Sequence, residues 1–146
     1  MVRKLLLVLG IFLSLTSFAQ IREIPKEVDE AFYKQYPKAE RAEFNDNLIN
    51  VRVSFELDGD KYIATYSSKG LWRETEKEWH YDKLPDAVKD GFEKSKYADW
   101  TVKETVIIYR AGGTERYRLR VEKGDLKRKH LFFNDKGRLM EEALTI

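Results

Sequence analysis

The spacing of apolar positions changes period several times along the chain. Val51, Val53, Phe55 and Leu57 alternate with Arg52, Ser54 and Glu56. This predicts a strand with one buried and one wet face. Asp58-Gly59 predicts a tight hairpin turn after it. Tyr62, Ala64 and Tyr66 share a face of the next strand, Ser68-Lys69-Gly70 turns again, and residues 71–78 read as a third strand. The alternation returns in Tyr117, Leu119 and Val121, set against Arg116, Arg118 and Arg120. A turn at Lys123-Gly124-Asp125, a strand over 127–134, a turn at Asp135-Lys136-Gly137 and a strand over 138–144 follow. Upstream of each series the period is helical. Val28, Ala31, Phe32 and Tyr36 fall on one helix face, as do Val88 and Phe92. A shorter strand is predicted directly after each helix, near residues 40–45 and 100–109.

The two series have the same punctuation. Ile24-Pro25-Lys26-Glu27-Val28 opens one and Leu84-Pro85-Asp86-Ala87-Val88 opens the other, each with Phe (Phe32, Phe92) seven residues after the proline. Proline suits a helix start, where its missing N–H would be unpaired in any case. The expected fold class is α+β: two tandem α-β-β-β-β repeats, about 21–82 and 83–146, forming one antiparallel sheet with both helices packed on one face. Trp79-His80-Tyr81-Asp82-Lys83 joins them without Gly or Pro and reads as ordered. The helix-free face and its rim are then the expected place for function.

Residues 1–19 alter this picture. Arg3 and Lys4, an apolar run over 5–15, and small residues at Ser17 and Ala19 have the three-part form of a secretory signal peptide, with cleavage expected before Gln20. The apolar run is too short to span a bilayer, which takes about 20 residues. The expected mature chain, 20–146, is a single exported domain with no membrane span, periplasmic or secreted. Whole, the chain carries 27 basic and 25 acidic residues, net +2. Without the leader it is neutral, so nothing supports a nucleic-acid partner. The charge is polarised: residues 20–82 hold 10 basic and 14 acidic side chains, and residues 83–146 hold 15 and 11.

The apolar-Pro-x-x-Val-x-x-x-Phe helix, the Tyr36-Pro37-Lys38-Ala39 helix end and the strand–Asp-Gly–strand–Lys-Gly–strand series resemble the PepSY-like, beta-lactamase-inhibitor-like family of exported bacterial proteins. The resemblance covers roughly residues 21–145. It implies the tandem fold, an envelope setting, no enzymatic activity, and binding of another protein, with inhibition as one form of it. Ala98 stands where Pro37 does in the first copy, so the second helix end departs from the pattern. No functional residue carries over.

The residues add little that is catalytic. There is no Cys, hence no thiol nucleophile or thiolate metal site. His80 and His130 are the two histidines, fifty residues apart and without ligand spacing. No Gly-x-Ser-x-Gly elbow occurs. Asp58-Gly59-Asp60 lacks the remaining ligands of a calcium loop and reads as a turn. No catalytic residue, metal or cofactor is expected.

Two charge stripes remain: Glu74, Glu76 and Glu78 on one strand, Arg116, Arg118 and Arg120 on another. They read either as solvated, cross-paired charge or as a recognition surface, where arginine is enriched. The candidate partner-binding residues are Arg116, Arg118, Arg120, Trp72, Glu74 and Glu76, with Trp72 placed beside Glu74 by strand parity. The expected partner is a protein of the cell envelope. The alternative is a small molecule or glycan held in a groove between the copies, stacked on Tyr62, Tyr66 and Trp72.

Overall fold

A computed structural model describes residues 23–145. The expected signal peptide lies outside the described residues. The chain runs α1 (Lys26–Gln35), β1 (Glu40–Asp46), β2 (Asn50–Leu57), β3 (Asp60–Ser67), β4 (Trp72–Trp79), a 3-10 turn at Tyr81–Lys83, α2 (Asp86–Glu93), β5 (Thr101–Arg110), β6 (Thr114–Lys123), β7 (Lys127–Asn134) and β8 (Leu139–Leu144). All eight strands form one antiparallel sheet in sequence order. The fold is α+β, with an open sheet whose edges are β1 and β8. No helix among the described residues is long and apolar enough to cross a membrane.

The period-2 pattern decides which face is covered. Val51, Val53 and Phe55 of β2 pair with Tyr66, Ala64 and Tyr62 of β3. With Val28 and Phe32 of α1 they form one cluster. Tyr117 and Leu119 of β6 pair with Phe133 and Leu131 of β7, and these close a second cluster with Val88 and Phe92 of α2. The registers across β4 and β5 join Thr75 to Tyr109 and Lys77 to Ile107. Both clusters therefore lie on one side of the sheet. Burying each large side chain there contributes roughly 1.5–3 kcal/mol.

Each helix begins directly after its proline: Val28 and Asp29 donate to the Pro25 carbonyl, and Val88 and Lys89 to that of Pro85. Two glycines seat the helices on the sheet. Gly137, in the β7–β8 turn, has φ +77°, and a Cβ there would lie 1.8 Å from the Ala87 carbonyl oxygen. Gly70, in the β3–β4 turn, has φ +75° and stands in the same relation to Glu27 of α1. Each turn thus leans over the first turn of a helix, which only a residue without a side chain allows.

The strand expected near 100–109 is β5, within one residue; it is no shorter than its neighbours, having ten residues, and Thr105, Val106, Ile107 and Ile108 are all buried. An unbroken apolar run marks a strand covered on both faces. β5 is central because β4 and β6 flank it, and its helix-free side is covered as well.

Candidate functional site: the helix-free sheet face

Side chains alternating with the core set point away from the helices. By register these are Arg52 and Ser54 of β2, Ile63 of β3, Glu74, Glu76 and Glu78 of β4, Glu104, Val106 and Ile108 of β5, and the three arginines of β6. Four of the six candidates, Glu76, Arg116, Arg118 and Arg120, lie close to the middle of this face, and Glu74 lies further along β4. The stripes of β4 and β6 are not neighbours, since β5 runs between them. Arg118 bridges the gap. Its guanidinium donates from Nη1 to Glu76 Oε1 at 3.2 Å and from Nη2 to Glu76 Oε2 at 3.0 Å. A two-point fork of this kind holds both partners in orientation. Spanning β5, the pair covers Val106 and Ile108, which explains why these are 5% and 4% exposed on a face without helices.

The pair belongs to a chain of alternating charge. Arg52 lies 3.7 Å from Glu76. Arg118 also reaches Glu104 at 3.3 Å, Arg120 reaches Glu104 and Glu122, and Arg128 lies 3.5 Å from Glu122. The chain crosses β2, β4, β5, β6 and β7. Arg116 and Glu74 stand outside it, loosely paired at 3.7 Å with Glu141 and Arg110 respectively. His130 lies opposite Arg120 on β7. Burial, then the nearby Arg118 charge, pushes its pKa below the ordinary value, so the face gains no further charge from it at neutral pH.

On this face, toward the Asp58-Gly59 end of the strands, lies an open concavity of about 570 Å³. Ile63 and Val106 contribute apolar surface to it, and Glu76, Glu104, Arg118 and Arg120 polar surface. As many acidic as basic side chains line it. Among the described residues no group of three or more His, Cys, Asp or Glu could hold a metal ion. His80 and His130 stand at the end of β4 and within β7.

Trp72 does not belong to this face. The β3–β4 register shifts between Thr65 and Tyr66: Thr65 faces Glu74, but Tyr66 faces Trp72. This bulge inserts Arg73 and reverses the parity. Trp72 packs on the α1 cluster, and its indole N–H donates to Thr75 Oγ1 at 2.9 Å. Tyr62 and Tyr66 also lie on the helix side, and Tyr66 is fully buried, its hydroxyl donating to Gln35. Of the aromatic trio expected for sugar stacking, Tyr66 and Trp72 therefore serve the core, and Tyr62 packs on it while also lining the concavity. Sequence reasoning missed Ile63, Val106, Glu104 and Arg52. The run Val106-Ile107-Ile108 was the available signal for Val106, since alternation alone would have left one side of β5 wet.

A family model described as putative beta-lactamase-inhibitor-like, PepSY-like matches residues 50–141. Several solved structures are similar. A DUF2874 family protein from Bacteroides ovatus superposes with a TM-score of 0.77 at 21% identity, over 84% of this chain and 89% of that one. A protein from Bacteroides eggerthii described as a putative periplasmic protein gives 0.77 at 19% identity, over 84% and 90%. A BLIP-like protein from Bacteroides fragilis gives 0.76 at 24% identity, over 86% and 89%. At these identities the likeness shows the fold. No curated protein matches the chain.

Proposed function

The chain belongs to the PepSY-like, beta-lactamase-inhibitor-like family, and we propose that it is a non-enzymatic, exported binding module that engages a protein of the cell envelope through the helix-free face. The observation that carries this reading is the concavity, with Ile63 and Val106 inside it and an ion-paired rim around them. An apolar centre ringed by charge is the usual anatomy of a protein-recognition patch. Arg41 is paired with Glu56, Arg118 with Glu76 and Glu104, and Arg120 with Glu104, so a partner need not compensate these charges on docking. The periplasmic description of the Bacteroides eggerthii structure supports export, as does the form of residues 1–19. The two α-β-β-β-β halves, each opened by the Pro-x-x-Val-x-x-x-Phe helix, support a tandem duplication of one unit. Inhibition of the partner is a further step within the same reading.

The test places a photo-crosslinking residue at Ile63, or at exposed Glu30 on α1, in protein expressed with its leader. A discrete adduct of Ile63 with a protein other than this chain, and none from Glu30, supports the reading. Equal labelling, no adduct from Ile63, or an adduct with this chain alone overturns it. Edman sequencing of the exported protein should begin at Gln20. Reversing all three arginines is a poor probe, because Arg118→Glu would put a third carboxylate beside Glu76 and Glu104. Arg116→Glu changes the rim without breaking the central pair. The small-molecule alternative keeps the concavity, whose volume suits a ligand, and keeps Tyr62 at its lining, but loses Tyr66 and Trp72. A metabolite that raises the melting temperature and is lost in Ile63→Lys would favour it.

A further inference from the structure

We propose that a second copy of this chain fills the concavity with its β1–β2 hairpin, so that the protein self-associates head to tail. This goes beyond partner capture and concerns the chain alone.

The hairpin tip is Asn47-Leu48-Ile49-Asn50. Leu48 and Ile49 are 73% and 78% exposed, and Leu71 of the neighbouring β3–β4 turn is 60% exposed. Pairing of Asn50 with Ser67 sets the two turns side by side. Leu48 is held at φ +76°, a conformation that costs an L side chain free energy and that Gly or Asn would adopt more readily. The tip is braced all the same. Asp46 Oδ1 accepts from the Leu48 amide at 2.8 Å, Asn47 Oδ1 accepts from the Ile49 and Asn50 amides at 3.2 and 2.8 Å, and the Asn47 amide donates to the Asn50 carbonyl. Two aliphatic side chains are thus displayed on a pre-shaped turn, which lowers the ordering cost of docking.

The concavity lies toward the other end of the strands. Ser54, Glu56, Lys61 and Ile63 line it beside the Asp58-Gly59 turn, whereas the tip closes β1 and β2 at the far end. A molecule therefore cannot fill its own concavity with its own tip, but its neighbour can. The chemistry matches. An uncharged Asn-Leu-Ile-Asn tip meets a site with balanced charge and an apolar centre, where a charged tip would leave an ion unpaired. A contact between two different patches is heterologous, so it propagates as a chain or ring of copies and does not close as a two-fold dimer.

Sedimentation velocity of the purified protein across a micromolar-to-millimolar series should show mass rising with concentration. Leu48→Asn with Ile49→Asn should weaken this association at least about tenfold. The same variant should melt no lower than the wild type, because Asn tolerates the φ of position 48. Ile63→Lys, placed opposite Glu76, should weaken association equally. Mixing the two variants should restore a two-copy complex that grows no further, since one carries an intact tip and the other an intact concavity. A wild type that stays monomeric to about 1 mM overturns the proposal, and so does a tip variant that associates unchanged. Crosslinking of another protein from Ile63 is read separately, so either failure leaves the partner reading standing.

Discussion

On the covered face Phe32 sits among aromatic rings, with centroids 5.4 Å from Phe44, 5.0 Å from Phe55 and 6.5 Å from Tyr66. On the other face of the same sheet, Arg118 lies over Val106 and Ile108 and forks onto Glu76. Both arrangements keep water off apolar strand residues, by different means. Ring packing gains free energy with area and involves no charge for ions to screen. The ion chain gains less, because each charge gives up hydration to pair. The covered face is therefore the natural seat of stability. The open face can change its pairing without unfolding the domain, which suits a surface meant to be covered by something else.

Breaking the covered face should have the largest effect. Phe32→Ala empties a fully buried site and should cost about 3–5 kcal/mol, read as a shift of the urea midpoint. Gly91→Ala comes next. In a helix this change ordinarily stabilises by about 1 kcal/mol. Here a Cβ would lie 1.9 Å from the Gly137 carbonyl oxygen, so the sign should reverse, with a loss of about 1–3 kcal/mol from overpacking. A gain in melting temperature would show that the β7–β8 turn gives way. On the open face, Glu76→Gln removes the charge that Arg118 grips and should cost about 2 kcal/mol, since Arg118 keeps Glu104. The double change to Glu76→Met and Arg118→Met should recover most of that loss. If it does not, the pair contributes to stability in its own right and the contrast between the faces is weaker than drawn.

Much of this fold was legible because strand alternation and turn chemistry reinforce each other. The 127–134 strand and the Asp58-Gly59 turn appear where the pattern puts them. What was not legible depends on long-range register. Nothing in the string Leu71-Trp72-Arg73-Glu74 announces a bulge, so strand parity alone places Trp72 on the wrong face. Nor does the sequence say which carboxylate Arg118 will choose. β5 separates the two stripes, and the choice of Glu76, diagonally across that strand, follows from side-chain reach. The concavity is less legible still, since its lining residues come from six strands, β1 to β6.

The smallest expected effect sits at the sheet edge, on the helix side of β8. Glu142 accepts from the Tyr97 hydroxyl and from Lys96 and Lys129 at 2.9 and 3.3 Å. The Tyr97 hydrogen bond, followed by that from Lys96, draws its pKa down to about 2. A carboxylate depressed in the folded state stabilises the fold fully above its unfolded pKa, here near 4.5, and that contribution is lost as pH falls toward 2. Glu142 is partly exposed, so solvent screens the gain. Other carboxylates titrate in the same window, so the informative quantity is the difference in melting temperature between wild type and Glu142→Gln. That difference should be constant from pH 7 to 5, shrink from pH 5 downward, and vanish near pH 2. A difference that stays flat to pH 2 would mean that Tyr97 holds β8 through an uncharged hydrogen bond alone. The edge would then be built like the covered face and not like the ion chain opposite it.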